Sequence, residues 1–306
     1  MRNCFETKDQ KEGIMIRITT LMDNELSANK ALLCQHGLSF LVERDNFRIL
    51  FDCGPGEAMC RNAHRLGRDL VNLDGVVLSH SHYDHGAGYR DFLEQGKGSF
   101  ISAGNESSTM LPPGALTLYT GPHFFEPKYA RNGFGFTDLS VGFDREFLEK
   151  HHVEHHVCQG REELAKGIWL VGDFPRQYEF ETIPDRFVRQ VGERMIPDDF
   201  ADEICLVLEM KEGLVILAGC SHPGILNMTE HIRRIFAKPV YAIFGGTHLK
   251  EADEERVRLT VDYLKWAGLR LLGLNHCSGT SAKERIARDF QVKSCFMRAG
   301  DCVFLE

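Results

Sequence analysis

Short runs rich in Ile, Val, Leu and Phe, separated by turn residues, dominate the first part of the chain. Met15–Leu21, Gly37–Glu43 and Phe47–Phe51 read as strands, the last two joined across Asp45-Asn46. Gly56–Leu66 predicts a helix and Asn72–Leu78 a further strand. Ser79–Gly88 is a polar loop that leads into a helix at Tyr89–Gln95. From about Ser99 to Ile196 the pattern is less regular, with two strand-like pieces, Leu116–Tyr119 and Gly167–Val171, around a stretch rich in Gly, Phe and His. Order returns as a hairpin, Glu203–Met210 and Leu214–Ala218, turned at Lys211–Gly213. The loop Gly219–Gly224 then opens a helix over Ile225–Phe236. Val240–Phe244 is a strand, Gly245–His248 a loop, and Glu251–Ala267 carries apolar residues at helical spacing. Leu269–Leu274 adds a strand, Ser281–Phe290 a helix, and Ser294–Leu305 reads as a closing strand pair. With no fixed-period repeat and no low-complexity linker, the pattern predicts one domain over residues 15–306 after a polar extension at 1–14. Sheet packed on sheet with helices outside is the packing it suggests.

Composition narrows the class. A chain of 306 residues, 43% hydrophobic and 26% charged, can bury a substantial core. A formal net charge of −8 with no Lys/Arg-rich run excludes a general nucleic-acid binder. No apolar run approaches the roughly 18 residues that span a bilayer. The opening stretch MRNCFETKDQKEG has no signal-peptide core, so a cytoplasmic protein with a small-molecule substrate is expected. Ten cysteines are scattered with no Cys-x-x-Cys pair, which points to reduced thiols. The oligomeric state is left open.

The chemistry gathers in one string. Leu78-Ser79-His80-Ser81-His82-Tyr83-Asp84-His85-Gly86 holds four metal-capable side chains directly after a buried strand. Imidazole and carboxylate suit zinc, iron or manganese. His80 and His82, two apart in an extended loop, can grip one ion from the same side. Asp84 and His85 follow the turn and can reach a second. Four more histidines, His151, His152, His155 and His156, lie among Glu149, Lys150, Val153 and Glu154 and read as a polar helical surface.

On the His-x-His-x-Asp-His string the sequence resembles the metallo-β-lactamase superfamily. Phe51-Asp52-Cys53-Gly54 matches the Asp-x-Gly turn that supports the histidine loop in that superfamily, and His276 matches its final histidine ligand. His36-Gly37-Leu38-Ser39-Phe40-Leu41, Gly172-Asp173-Phe174-Pro175-Arg176, Gly219-Cys220-Ser221-His222, Gly245-Gly246-Thr247-His248 and His276-Cys277-Ser278-Gly279 resemble a subgroup. It is named after the 7,8-dihydropterin-6-ylmethyl-4-(β-D-ribofuranosyl)aminobenzene-5′-phosphate synthases of methanogens. The resemblance covers about Met15 to Leu305. It implies an α/β fold, a four-layer αβ/βα sandwich, with two divalent metal ions, zinc first and iron or manganese as alternatives.

The ligand set departs from the superfamily pattern in two places. The stretch Pro197–Asp202, where a third histidine is expected, has none, and the bridging aspartate position is Cys220. His222 offers a replacement, giving His80, His82 and His222 on one ion and Asp84, His85 and His276 on the other, with Asp52 behind them. Cys220 is either a thiolate ligand or a small buried side chain. His123 is a rival third ligand or a pocket residue. His248 is a substrate contact, an acid, or a plain loop histidine, and Arg176 binds a substrate phosphate or carboxylate or makes a surface ion pair. His36 reaches at most the pocket mouth.

The function expected is hydrolysis of a small ester, lactone or phosphorylated substrate by metal-activated water, with Asp84 orienting the nucleophile. One alternative is the pterin-linked transfer that the subgroup name implies. Another is a di-iron redox or sensing role, disfavoured because Cys220 replaces a bridging carboxylate and no flavodoxin-like segment is appended. Antibiotic hydrolysis is not expected, for want of an export signal.

Overall fold

A computed structural model of the chain describes residues 4–5, 15–95, 116–289 and 293–306. The expected extension at 1–14 lies outside the described residues except for Cys4–Phe5, which pair in parallel with Cys302 and Val303. Contacts group the chain into two compact units.

The first unit comprises Met1–Thr120, Ser140–Val157 and Arg298–Glu306. Its sheet runs in the order Cys4–Phe5, Cys302–Leu305, Ile16–Met22, Ser39–Arg44, Phe47–Phe51, Gly75–Val77, Thr117–Thr120, Glu154–Val157. The strands from Ile16 to Phe51 form an antiparallel meander, turned at Asp45 with φ 54°. From Phe51 onward the pairing is parallel. This switch matters, because parallel strands end together and deliver their following loops to one edge. Gly75–Val77 is buried at every position, as a parallel interior strand must be. Helix Ala58–Arg65 covers the meander and buries Met59, Cys60, Asn62 and Ala63. Asn62 is the polar pin of that contact: its amide donates to Leu21 O and Leu33 O, and its oxygen accepts from Leu33 N.

The second unit comprises Gly121–Leu139 and Cys158–Met297. Its larger sheet runs Arg161–Ala165, Ile168–Val171, Cys205–Glu209, Leu214–Ala218, Val240–Gly245, Leu271–Leu274, Lys293–Phe296. The expected hairpin is its centre, and the pairing again becomes parallel after Ala218. Helices Ile225–Phe236, Glu254–Trp266 and Thr280–Asp289 add their apolar faces to its core, where Ile216, Met228, Ile232, Val261, Leu264 and Ile286 are buried together. The second of these helices starts later than its periodicity suggests. Asp253 caps it by accepting from Arg256 N at 2.7 Å, so Glu251 and Ala252 stay outside.

Three expectations are corrected. The irregular middle, whose residues 96–115 lie outside the described ones, contains a four-stranded antiparallel sheet: Arg194–Pro197, Phe187–Val191, Lys128–Asn132 and Gly135–Asp138. These strands are half-exposed, with polar residues on both faces, so neither a clean alternation nor an apolar run marked them. His155 and His156 lie on strand Glu154–Val157 instead of a helix. That helix, Arg145–Lys150, stops before them, and His152 turns the chain at φ 56°. The closing strands do not pair with each other: Lys293–Phe296 joins Leu271–Leu274 in one sheet, and Cys302–Leu305 joins Ile16–Met22 in another.

Candidate metal centre

In the first unit, the buried strand Gly75–Val77 delivers the loop that holds His80 and His82, and a single helical turn, Tyr83–Gly86, carries Asp84 and His85. All four side chains are buried. The His80 and His82 rings meet edge to face with centroids 4.8 Å apart, and His85 lies 4.3 Å from His80. Asp84 Oδ2 is 3.9 Å from His85 Nε2. The same Oδ2 lies 3.2 Å from His36 Nε2, and His36 Nδ1 meets the Asn24 amide.

Asp52 sets the chemistry of this loop from behind. It sits at φ 56° after strand Phe47–Phe51 and is fully buried. Oδ1 accepts from Ser79 N at 2.7 Å, and Oδ2 accepts from Ser79 Oγ at 2.8 Å and from His85 Nδ1 at 2.6 Å. A carboxylate only accepts, so His85 carries its proton on Nδ1 and presents a lone pair on Nε2. The same logic reaches His80. The one Ser79 hydroxyl proton is given to Asp52, so Ser79 Oγ accepts from His80 Nδ1 at 3.0 Å, and His80 too presents Nε2.

In the second unit, strand Leu214–Ala218 leads into the loop bearing Cys220 and His222, with Ser221 at φ 62°. Glu203 is to this loop what Asp52 is to the other. Buried at the start of the hairpin, it accepts from Ser221 N and His222 N through its two oxygens, and from His222 Nδ1 at 2.8 Å. His222 therefore also offers Nε2. His276 lies just beyond strand Leu271–Leu274 at φ 47°. Donor atoms of Cys220, His276 and Cys277 all lie within 4.8 Å of one another. Cys277 Sγ donates to Cys220 O at 3.4 Å and accepts from His248 N at 3.3 Å. The loops approach so closely that a Cβ on Gly246 would meet Cys277 Sγ at 2.5 Å, which requires glycine there.

The remaining expected residues fall in different surroundings. His248 is buried, its ring 4.7 Å from that of His222, and burial pushes it down to about 4, so it is neutral at neutral pH. Arg176 gives Nη1 to His222 O at 3.2 Å and Nη2 to Asp199 O at 2.7 Å, so its guanidinium braces the main chain behind the ligand loop. His123 stands at the surface, half-exposed, with Nδ1 2.9 Å from Glu126 Oε1. The sequence reading missed Glu203, the Ser79 relay and the His36 contact. An acidic residue opening the apolar run Ile204–Leu208 was the available signal for Glu203.

Both donor sets fit divalent metal. Burying several imidazoles beside a carboxylate is unfavourable unless the lost hydration is replaced, and a cation replaces it. A ring whose Nδ1 is held by a buried carboxylate is the usual form of a ligating histidine. Among the described residues no helix is long and apolar enough to cross a membrane.

The family model of the metallo-beta-lactamase superfamily matches residues 33–200. A solved metal-dependent hydrolase of the beta-lactamase superfamily superposes with a TM-score of 0.76 at 26% identity, covering 95% of this chain and 98% of that one. The fold protein YhfI from Bacillus subtilis follows with a TM-score of 0.55 at 14% identity, covering 95% and 100%. Among curated proteins, the 7,8-dihydropterin-6-methyl-4-(beta-D-ribofuranosyl)-aminobenzene-5′-phosphate synthase of Methanocaldococcus jannaschii is 28% identical over 94% of this chain and 96% of its own length.

Proposed function

The chain belongs to the metallo-beta-lactamase superfamily, and from that premise we propose that it is a metal-dependent hydrolase of a small ester, lactone or phosphorylated substrate. The observation that carries the reading is the pair of buried carboxylates, Asp52 on His85 and Glu203 on His222, each fixing an imidazole with Nε2 presented. In this reading His80, His82 and His222 hold one ion and Asp84, His85 and His276 the other, with zinc the first choice and iron or manganese next. The group supplies, when bound, Lewis acidity and a water acidified toward a pKa of about 7. The chain supplies the rest. Asp52 and Glu203 hold the tautomers, Asp84 orients the nucleophile, and His36 steadies Asp84 through Oδ2. Neutral His248 offers substrate a hydrogen bond without a charge. In this reading the protein is cytoplasmic and keeps its thiols reduced.

A panel of phosphodiesters, esters and lactones, assayed with zinc, manganese and iron, tests the reading. Turnover of about 1 s⁻¹, the low end of ordinary enzymes, supports hydrolysis. A second reading, pterin-linked transfer, is favoured by the near-full-length similarity to the Methanocaldococcus jannaschii synthase. Failure across the whole panel, together with binding of a dihydropterin, would select it. In either case His82→Ala should lose both bound metal and turnover, and full metal stoichiometry in that variant would overturn the ligand assignment.

A further inference from the structure

The loop from Asp198 to Glu203, which overlaps the stretch Pro197–Asp202 where the superfamily pattern leads one to expect a histidine, is not idle. We infer that this loop is a clasp for His222, and that Phe200 and Lys128 are positioning residues that fix the ring of the replacement ligand. The inference rests on the reading of His222 as a metal ligand.

The Phe200 ring lies flat on the imidazole of His222, with centroids 3.7 Å apart and planes 10° from parallel. Glu203 holds the edge of the same imidazole through Nδ1. One face and one edge of the ring are thus fixed by two residues of a single short loop, and Phe187 approaches edge-on at 5.7 Å. Phe200 is itself strained into place at φ 52°, a conformation disfavoured for a large side chain, so something must hold it there.

Lys128 does so. From the neighbouring strand Lys128–Asn132 its Nζ reaches Asp202 Oδ1 at 2.6 Å and Asp198 Oδ2 at 2.9 Å, closing the loop across its two ends. The same ammonium stands over the Phe200 ring at 4.3 Å from the centroid. Lys128, Asp198 and Asp202 are all buried. A buried charge of this kind is retained where its partners need it, since removing one partner leaves the others unsatisfied. Asp198 also accepts from Phe200 N at 2.8 Å, so the ion pair and the strained backbone are one construction. Arg176 adds the last tie, joining Asp199 O to His222 O.

A stacked, hydrogen-bonded imidazole enters coordination with its rotamer already selected, and outer residues that orient a ligand are typically worth about 10–100-fold in metal affinity. Zinc affinity of the full-length protein, measured by chelator competition, and zinc stoichiometry test this with Phe200→Leu, Phe200→Tyr, Lys128→Met and His222→Ala. Phe200→Leu should weaken zinc about 10-fold while its apoprotein keeps the wild-type circular dichroism, and Phe200→Tyr, which keeps the aromatic face, should restore wild-type affinity. Lys128→Met should weaken zinc at least as much as Phe200→Leu. If it does not fold, the two Phe200 variants decide the matter alone. A lower apoprotein melting temperature in Phe200→Leu with unchanged zinc affinity overturns the clasp, because it would mean ordinary packing. Unchanged zinc affinity and stoichiometry in His222→Ala overturns something different, the ligand reading on which the clasp depends.

Discussion

Asp52 shows how much one side chain decides. Its two oxygens accept three hydrogen bonds from Ser79 and His85, and those bonds choose the tautomers of His80 and His85 together. Asn at this position keeps the size but replaces one acceptor oxygen with an amide NH2, a donor that faces donors. We expect Asp52→Asn to weaken zinc by about 10–100-fold, measured by chelator competition, with the backbone bond from residue 52 N to Val77 O preserving the turn. Glu203→Gln should act in the same direction through His222. These carboxylates were only half legible in the sequence. Asp52 was marked by its Asp-x-Gly turn, whereas Glu203 read as the first residue of a strand, because its partner lies 19 positions away.

At the scale of elements, the helix Ile225–Phe236 follows directly on the His222 loop, and its start is held by a residue from elsewhere. Glu181 Oε1 accepts from Leu226 N and Oε2 from Asn227 N, and the side chain is buried. Burial pushes its carboxyl up to about 7 despite the two amide bonds. The sign follows from the raised value. The folded state binds the proton more tightly than the unfolded chain, so this contribution is fully present below an ordinary carboxyl value of about 4.5 and is lost as pH rises through about 7. Urea denaturation across that window should show stability falling by up to about 3 kcal/mol from this group, and Glu181→Gln should flatten that part of the profile. Asp253→Ala, which removes the cap of helix Glu254–Trp266, should cost about 1 kcal/mol, read by urea denaturation. Local rules placed the start of this helix but not its cap: for Ile225–Phe236, Gly224 has no side chain to offer and Glu181 lies 45 positions upstream of Leu226.

For the molecule as a whole, metal and folding are linked. A ligand that binds only the folded chain stabilises it by RT ln(1 + [L]/Kd), about 4 kcal/mol at a thousandfold excess over Kd. Zinc should therefore raise the melting temperature of the wild type, chelation should return it to the apo value, and His82→Ala should show no zinc-dependent shift. A zinc-dependent shift of full size in that variant would contradict the site.

What the sequence determined by itself was whatever depends on near neighbours. The strand-to-loop string Leu78–Gly86, the hairpin about Lys211–Gly213 and the helix Ile225–Phe236 are local patterns, and period and turn chemistry suffice to write them. The α/β class and the superfamily followed from the same short motifs. Tertiary structure decided the rest. It put His155 and His156 on a strand beside Thr117–Thr120, sent the last two strands to different sheets, and built a small sheet from half-exposed segments with no clear period. It also chose which nitrogen His80, His85 and His222 present. That choice is made by carboxylates and hydroxyls that meet the rings only after folding, and hydrogen bonding between residues far apart in the chain leaves no period for a sequence to display.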